Sequence, residues 1–259
     1  MKLKDKVAIV TGSGRGLGRE MALALAGEDA NLVVVQRTRQ DLEVVAQEIR
    51  ALGGKALAIP TDITVAEQVN GMVQKALEEF GRIDILVNNA GGVFNTFHKL
   101  VIDLDPSDWR EALDINVTGT FLCSRAVLPH MIKQRSGIIL NVSSGFGRRG
   151  RPGASAYTAA KFAIEGFTQE MHLEVSPFNI RVNAFSPGGA VATPGMLKYM
   201  KYEPPDRVLD PKIIRELLIY LASDDSIGVS GQSFIATTWN ADKREINSLI
   251  AESQKLRET

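Results

Sequence analysis

Residues 7–18 read Val7-Ala8-Ile9-Val10-Thr11-Gly12-Ser13-Gly14-Arg15-Gly16-Leu17-Gly18, a short apolar run that stops at threonine and enters a glycine-rich turn. Glycine leaves the backbone N–H groups bare, and the segment after the turn is helical in pattern, with Met21, Ala22 and Leu25 on one side. Strand, glycine turn and helix N-terminus in that order form an arrangement that holds a pyrophosphate. Counted from Gly12, the sixth position is Leu17, so the turn fits T-G-x-x-x-G-x-G rather than the general G-x-G-x-x-G pattern. Gly12, Ser13, Arg15, Gly16 and Leu17 are the expected contacts to such a ligand.

The strand-then-helix rhythm repeats outward from this turn. Further apolar runs occur at Leu32–Val35, Ala56–Ile59, Ile83–Val87, Ile138–Val142, Ile180–Phe185 and Ser233–Ala236, mostly continuous rather than alternating. Strands covered on both faces read that way. Between them, Val65, Val69, Met72, Val73, Ala76, Leu77 and Phe80 recur at helical spacing, with Thr64 and Glu67 as a capping box and Gly81 as the stop. A helix is expected from Asp105-Pro106 to about His130, carrying Trp109, Leu113, Val117 and Phe121 on one face. Others are expected at Ala156–Val175 and Pro211–Ala222. The expectation is an α/β chain with a single doubly wound, Rossmann-type parallel sheet and helices on both faces. No interdomain linker is visible, so residues 1–259 read as one domain, with a lid over the pocket at 195–211 and an extra C-terminal helix at about 241–257.

With 259 residues, 44% hydrophobic and 23% charged, the chain is long enough to bury a sizeable core, and disordered and fibrous classes are excluded. Lys plus Arg and Asp plus Glu are each 30, so no net basic field points to nucleic acid or to a membrane surface. Cys123 is the only cysteine, and His98, His130 and His172 lack ligand spacing, so no metal site is expected. Met1 is followed by no signal-peptide core and no spanning segment, and the expected compartment is the cytoplasm.

About 20 residues beyond the glycine turn an acidic group is expected for NAD, yet the position holds Gln36, followed by Arg37 and Thr38. With Arg15 in the turn, two cations stand where a 2′-phosphate would lie, which favours NADP(H). Farther on, Tyr157-Thr158-Ala159-Ala160-Lys161 sets a phenol and an ammonium one helical turn apart. A fixed positive charge lowers a phenol's pKa from about 10 toward working pH. Ser143-Ser144 ends an apolar strand just upstream, where a hydroxyl can hold a substrate carbonyl. Asn116 falls on an apolar helix face; a buried amide needs partners, either a water network or the core itself.

These motifs, in this order from about Lys6 to Gly231, resemble the short-chain dehydrogenase/reductase family. The resemblance implies an NADP(H)-dependent oxidoreductase of ketones and secondary alcohols, similar to a 3-oxoacyl reductase. It implies a catalytic tetrad of Asn116, Ser144, Tyr157 and Lys161, the serine chosen because it lies 13 residues before the tyrosine, with Ser143 as the fallback. Tyr157 would be the general acid/base, Ser144 would hold the substrate oxygen, Lys161 would bind the nicotinamide ribose, and Asn116 would seat a water. Asp62-Ile63 would contact adenine, and Asn88-Asn89-Ala90-Gly91 matches the family's N-N-A-G segment. Pro187, Gly188, Val191 and Thr193 match its nicotinamide segment with one extra glycine, Gly189. A homo-oligomer, dimer or tetramer, acting on a small carbonyl or alcohol substrate is implied. The tail departs from the family: Thr237-Thr238-Trp239-Asn240 stands in place of an aspartate and paired glycines, and the final segment, with Ile246, Leu249, Ile250 and Leu256 among many charges, packs either on a partner subunit or on its own domain.

Pocket-lining residues are expected at Phe94, Phe97, Phe146, Ala154, Met196 and Tyr199. Arg148, Arg149 and Arg151 either bind an acidic substrate group or form a solvated loop. Rival readings are a 3-oxoacyl-thioester reductase, a non-catalytic NADP-binding sensor or scaffold, and epimerase or dehydratase chemistry.

Overall fold

The computed structural model describes residues 1–92, 94–199 and 208–244, with the side chains of residues 94, 198 and 199 outside that set. Strands β1 (Val7–Thr11), β2 (Asn31–Gln36), β3 (Ala56–Pro60), β4 (Ile85–Asn88), β5 (Gly137–Val142), β6 (Ile180–Ser186) and β7 (Ser233–Ile235) form one sheet in the order β3-β2-β1-β4-β5-β6-β7. Every pairing is parallel. The chain runs outward from β1 to β3 and then returns to lay β4 beside β1, so the strand order reverses there. A crevice opens at the carboxyl ends of the strands at such a reversal, and the glycine turn after β1 sits at it.

Parallel neighbours need crossovers, here α1 (Gly16–Ala26), α2 (Arg39–Ala51), α3 (Ala66–Phe80), α4 (Pro106–Leu113), α5 (Gly119–Gln134), α6 (Ser155–Val175), α7 (Pro194–Tyr199) and α8 (Arg215–Ala222). Successive strand residues face opposite ways. Ala8, Val10, Leu32 and Val34 therefore pack with Met21 of α1, Leu42 of α2 and Leu217 of α8, while Val7, Ile9, Val33 and Val35 pack with Met72 of α3, Val127 of α5 and Met171 of α6. Both faces are covered, which is why these strands are continuous apolar runs.

The helix expected from Asp105 to His130 is two helices. Asp105 caps α4, its carboxylate accepting from the Ser107 N–H at 2.7 Å. Asp114–Thr118 then forms a π turn before α5, which continues past Pro129 to Gln134. A π turn rotates everything after it. Phe121 accordingly leaves the expected apolar face and is 44% exposed, while Ala112, Asn116 and Cys123 are buried. The capping box of Thr64 and Glu67 does not form either: Val65 holds the cap position, and the Asp62 carboxylate takes the N–H and hydroxyl of Thr64 at 3.0 and 2.7 Å. Gly81 closes α3 in the left-handed region, φ 74°.

The helix expected at Pro211–Ala222 opens with a 3-10 turn, Pro211–Ile214. The last helix starts at residue 236, straight after β7, rather than near 241. Up to residue 244 the tail packs on its own molecule, with the Trp239 ring 5.3 Å from Tyr220 and the Asn240 amide donating to the Ile213 carbonyl at 3.0 Å. Its expected continuation to 257 and the expected lid's centre, residues 200–207, lie outside the described residues. Among the described residues no helix is long and apolar enough to cross a membrane.

Candidate functional site

A cleft of about 1600 Å³ runs along the carboxyl ends of the strands, from the glycine turn past Asn89 to Tyr157 and Thr193. Its first end is built from backbone. Gly12 turns with φ 66°, and a Cβ on Gly18 would stand 2.2 Å from the Gly12 carbonyl oxygen, so neither position admits a side chain. The Thr11 hydroxyl accepts from the N–H groups of Asn89 and Ala90, both at 3.0 Å, and the Asn89 amide donates to the carbonyls of Thr11 and Gly12 at 2.9 and 3.3 Å. These bonds stitch the loop after β4 to the glycine turn. Ser13, expected to contact the ligand, lies off the cleft wall: it is fully buried and its hydroxyl accepts from the Val35 N–H at 2.8 Å, bracing the turn on β2.

Arg15, Arg37, Thr38, Asp62 and Ile63 line the adjoining wall. The nearby Arg19 and Arg39 are taken by Glu48 and Glu43 at 2.7 and 3.5 Å. Arg15 and Arg37 have no carboxylate partner within 4 Å among the described residues, and the Gln36 amide occupies the Asp41 carboxylate at 2.7 Å. Burial pushes the Asp62 carboxyl up, but the Thr64 hydroxyl and N–H, with Arg37 beside it, outweigh this and hold it below the usual carboxylate range.

At the far end, α6 presents Tyr157 and Lys161 on one face, and β5 delivers Ser144 opposite them. The Ser144 hydroxyl accepts from the Phe146 N–H at 3.3 Å and lies near enough to the Tyr157 phenol to draw its pKa down. Lys161 is 5% exposed, donates to the Val142 carbonyl at 2.8 Å and holds its ammonium 5.5 Å from the centre of the Tyr157 ring. Burial pushes the Lys161 ammonium down to about 8, against the opposite pull of Glu165. Where the sequence predicts a lowered phenol, burial instead raises Tyr157, with the Ser144 side chain nearby opposing it. Phe146 stands edge-on to Tyr157 at 5.6 Å and to Phe97 at 5.8 Å, an aromatic wall leading out of the cleft. Met196 also lines it, whereas Ala154 is buried in the core; the side chains of Phe94 and Tyr199 lie outside the described set.

Asn116 is buried behind the cleft rather than on it. Its amide donates to the carbonyls of Ala112 and Gly92 at 2.8 and 3.0 Å, and its Oδ1 accepts from the Gly92 N–H at 3.2 Å. Both side-chain donors are used, so the side chain clips the loop after β4 to the π turn. Arg148 is likewise engaged, donating to Ser233 and Ser186 at 2.6 and 3.4 Å. Arg149 and Arg151 line the mouth without a carboxylate partner among the described residues, Arg151 lying 5.6 Å over the Phe146 ring. Pro187, Gly188, Val191 and Thr193 line the cleft despite the extra glycine, as do Ala90 and Gly91.

Sequence reasoning missed Glu165 and gave Ser143 only as the fallback for the catalytic serine. The Ser143 hydroxyl donates to the Glu165 carboxylate, which also pairs with Arg148 at 3.8 Å. The available signal was Glu165 one further helical turn beyond Lys161, but its partner comes from a strand distant in sequence.

Residues 6–202 match the family model described as short chain dehydrogenase. The chain is 35% identical over 240 residues to the 3-oxoacyl-[acyl-carrier-protein] reductase FabG of Thermotoga maritima, covering 90% of this chain and 96% of that protein. It is 44% identical over 191 residues to the short-chain reductase protein NovJ of Streptomyces niveus, covering 74% and 71%. The structure of NAD+-bound xylitol dehydrogenase superposes with a TM-score of 0.85 at 32% identity, over 91% of this chain and 98% of that one.

Proposed function

The chain belongs to the short-chain dehydrogenase family, and from that premise we propose an NADP(H)-dependent oxidoreductase of ketones and secondary alcohols. The observation that carries the reading is the convergence of Ser144, Tyr157 and buried Lys161, its ammonium 5.5 Å from the Tyr157 ring centre, at the end of a cleft that begins in bare glycine backbone. The cleft fits a dinucleotide. Gly12, Arg15, Gly16 and Leu17 hold the pyrophosphate, Asp62 and Ile63 meet the adenine, and Arg37 with Thr38 meets a 2′-phosphate. Asn89, Ala90, Gly91, Pro187, Gly188, Val191 and Thr193 form the nicotinamide end. When bound, a nicotinamide would deliver a hydride to a ketone carbon or accept one from the carbinol carbon of a secondary alcohol. Tyr157 supplies or removes the proton on the substrate oxygen, Ser144 orients that oxygen, and Lys161 supplies positive charge beside the phenol. Asn116 acts through the backbone it holds.

The phosphate preference rests on two guanidinium groups that, among the described residues, have no carboxylate within 4 Å, and on Gln36 where an acid would favour NADH. Fluorescence titration of the purified protein with NADPH and NADH, followed by a carbonyl panel read by absorbance, tests both parts. NADPH is expected to bind tighter, and Arg37→Asp to reverse the preference; stronger NADH binding by the unaltered protein overturns the preference, and binding of neither overturns the reading.

A second substrate reading, a 3-oxoacyl thioester, is supported by Arg149 and Arg151 at the mouth and by the name of the Thermotoga maritima relative. Acyl thioesters assayed beside free ketones separate the two. Cofactor binding without turnover across the whole panel would instead point to a sensor or scaffold. The proposal includes a single catalytic domain, a homo-oligomer and a cytoplasmic location.

A further inference from the structure

Tyr157, Lys161 and Glu165 follow one another at four-residue steps along α6, so their side chains stack on one face. The third group is not solvated like an ordinary helix carboxylate: its side chain is 12% exposed. It accepts from the hydroxyl of Ser143, the residue after the Val142 carbonyl that Lys161 grips, and its other partner is Arg148 at 3.8 Å. Arg148 in turn reaches Ser186 at the end of β6 and Ser233 at the start of β7. Gly147 seals the cluster: a Cβ there would stand 2.9 Å from the Lys161 carbonyl, 2.9 Å from the Ser143 hydroxyl and 3.1 Å from Glu165 Cγ. The loop after β5 thus closes over this α6 carboxylate, and Arg148 ties it to the ends of β6 and β7.

We propose that Glu165, fixed by Ser143 and Arg148, is a positioning residue that keeps the Lys161 ammonium charged for the reaction at Tyr157. The inference rests on the reading of Tyr157 and Lys161 as the reacting pair. Burial alone favours a neutral lysine amine, and a nearby fixed negative charge opposes it. The groups that face Lys161 are Tyr157 and Glu165 on its own helix, with Arg148 of the loop after β5 behind the carboxylate. Among the described residues, Glu165 is the charged group that shifts Lys161, and it does so toward the charged form. The two serines at the end of β5 then have different tasks, Ser144 toward substrate and Ser143 toward Glu165.

The test is Glu165→Gln, which keeps the shape and the Ser143 hydrogen bond but removes the charge. In full-length protein carrying 13Cε-lysine, the Lys161 resonance, assigned by its loss in Lys161→Met, is followed through a pH titration, and the pH profile of carbonyl reduction is recorded alongside. The expected result is a folded protein whose Lys161 midpoint and alkaline activity limb both move to lower pH by about one unit, a roughly tenfold effect on the charged fraction. Arg148→Gln, which loosens the carboxylate but leaves its charge, is expected to move both less. An unchanged Lys161 midpoint in Glu165→Gln overturns the proposal, and so does a shifted midpoint with an unmoved activity profile. Failure of the underlying reading is distinguished by Tyr157→Phe retaining turnover.

Discussion

Lys161 is held in a place that costs stability. Its ammonium is 5% exposed and burial brings its pKa down from 10.5 to about 8. Between those two values the unfolded chain binds the proton and the folded chain does not, so this group makes stability rise with pH from about 8 to 10.5. Below pH 8 the folded protein carries the full penalty, on the order of 3 kcal/mol. Lys161→Met is therefore expected to abolish turnover yet raise the melting temperature at pH 7, with the gain shrinking as the pH approaches 10.5. Calorimetry at the two pH values checks this; a variant destabilised equally at both would mean that the Val142 hydrogen bond outweighs the buried charge. Tyr157 and Lys161 were legible as a pair because four-residue spacing on a helix fixes their adjacency. The sign of the phenol's shift was not legible, since it depends on burial that spacing does not reveal. Ser13 was misread because a turn residue in sequence can face the neighbouring strand as easily as the ligand.

Among the elements, the turn from β1 to α1 leaves no room for a side chain at Gly18. Gly18→Ala places a methyl 2.2 Å from a backbone carbonyl and 2.5 Å from Asn89 Nδ2 in a turn that Asn89 also pins. Neither backbone nor clamp can yield cheaply, so the variant is expected to lose cofactor binding before it loses its fold; isothermal titration beside circular dichroism checks it, and near-normal affinity would remove this turn from the binding account. The strands and most crossovers were readable because β-branched runs and glycine stops are local signals. Two features were not. The π turn at Asp114–Thr118 is held from outside the helix, by the Asn116 bonds to Gly92, and periodicity measured along one segment cannot register it. Thr64 and Glu67 have a capping-box spacing, but Asp62 competes for Thr64 and wins with two bonds.

At the scale of the whole molecule, a sheet covered on both faces leaves its chemistry at one rim, where the strand order reverses and the loops after β1, β4, β5 and β6 converge. The opposite consequence appears on the outer helices. Phe121 on α5 and Phe162 on α6 are 44% and 48% exposed, large apolar side chains on the outer face of two helices. That face is expected to be covered in a homo-oligomer, and Phe121→Glu with Phe162→Glu should lower the mass measured by light scattering; an unchanged mass would put the contact elsewhere. The central claim concerns the cleft as one working unit. Its most direct measurement is NADPH consumption on a carbonyl panel by the unaltered protein and by Tyr157→Phe, with NADPH binding titrated for both. The account predicts turnover in the first, a loss of at least about a hundredfold in the second, and similar cofactor affinity in the two. Near-equal turnover would contradict it.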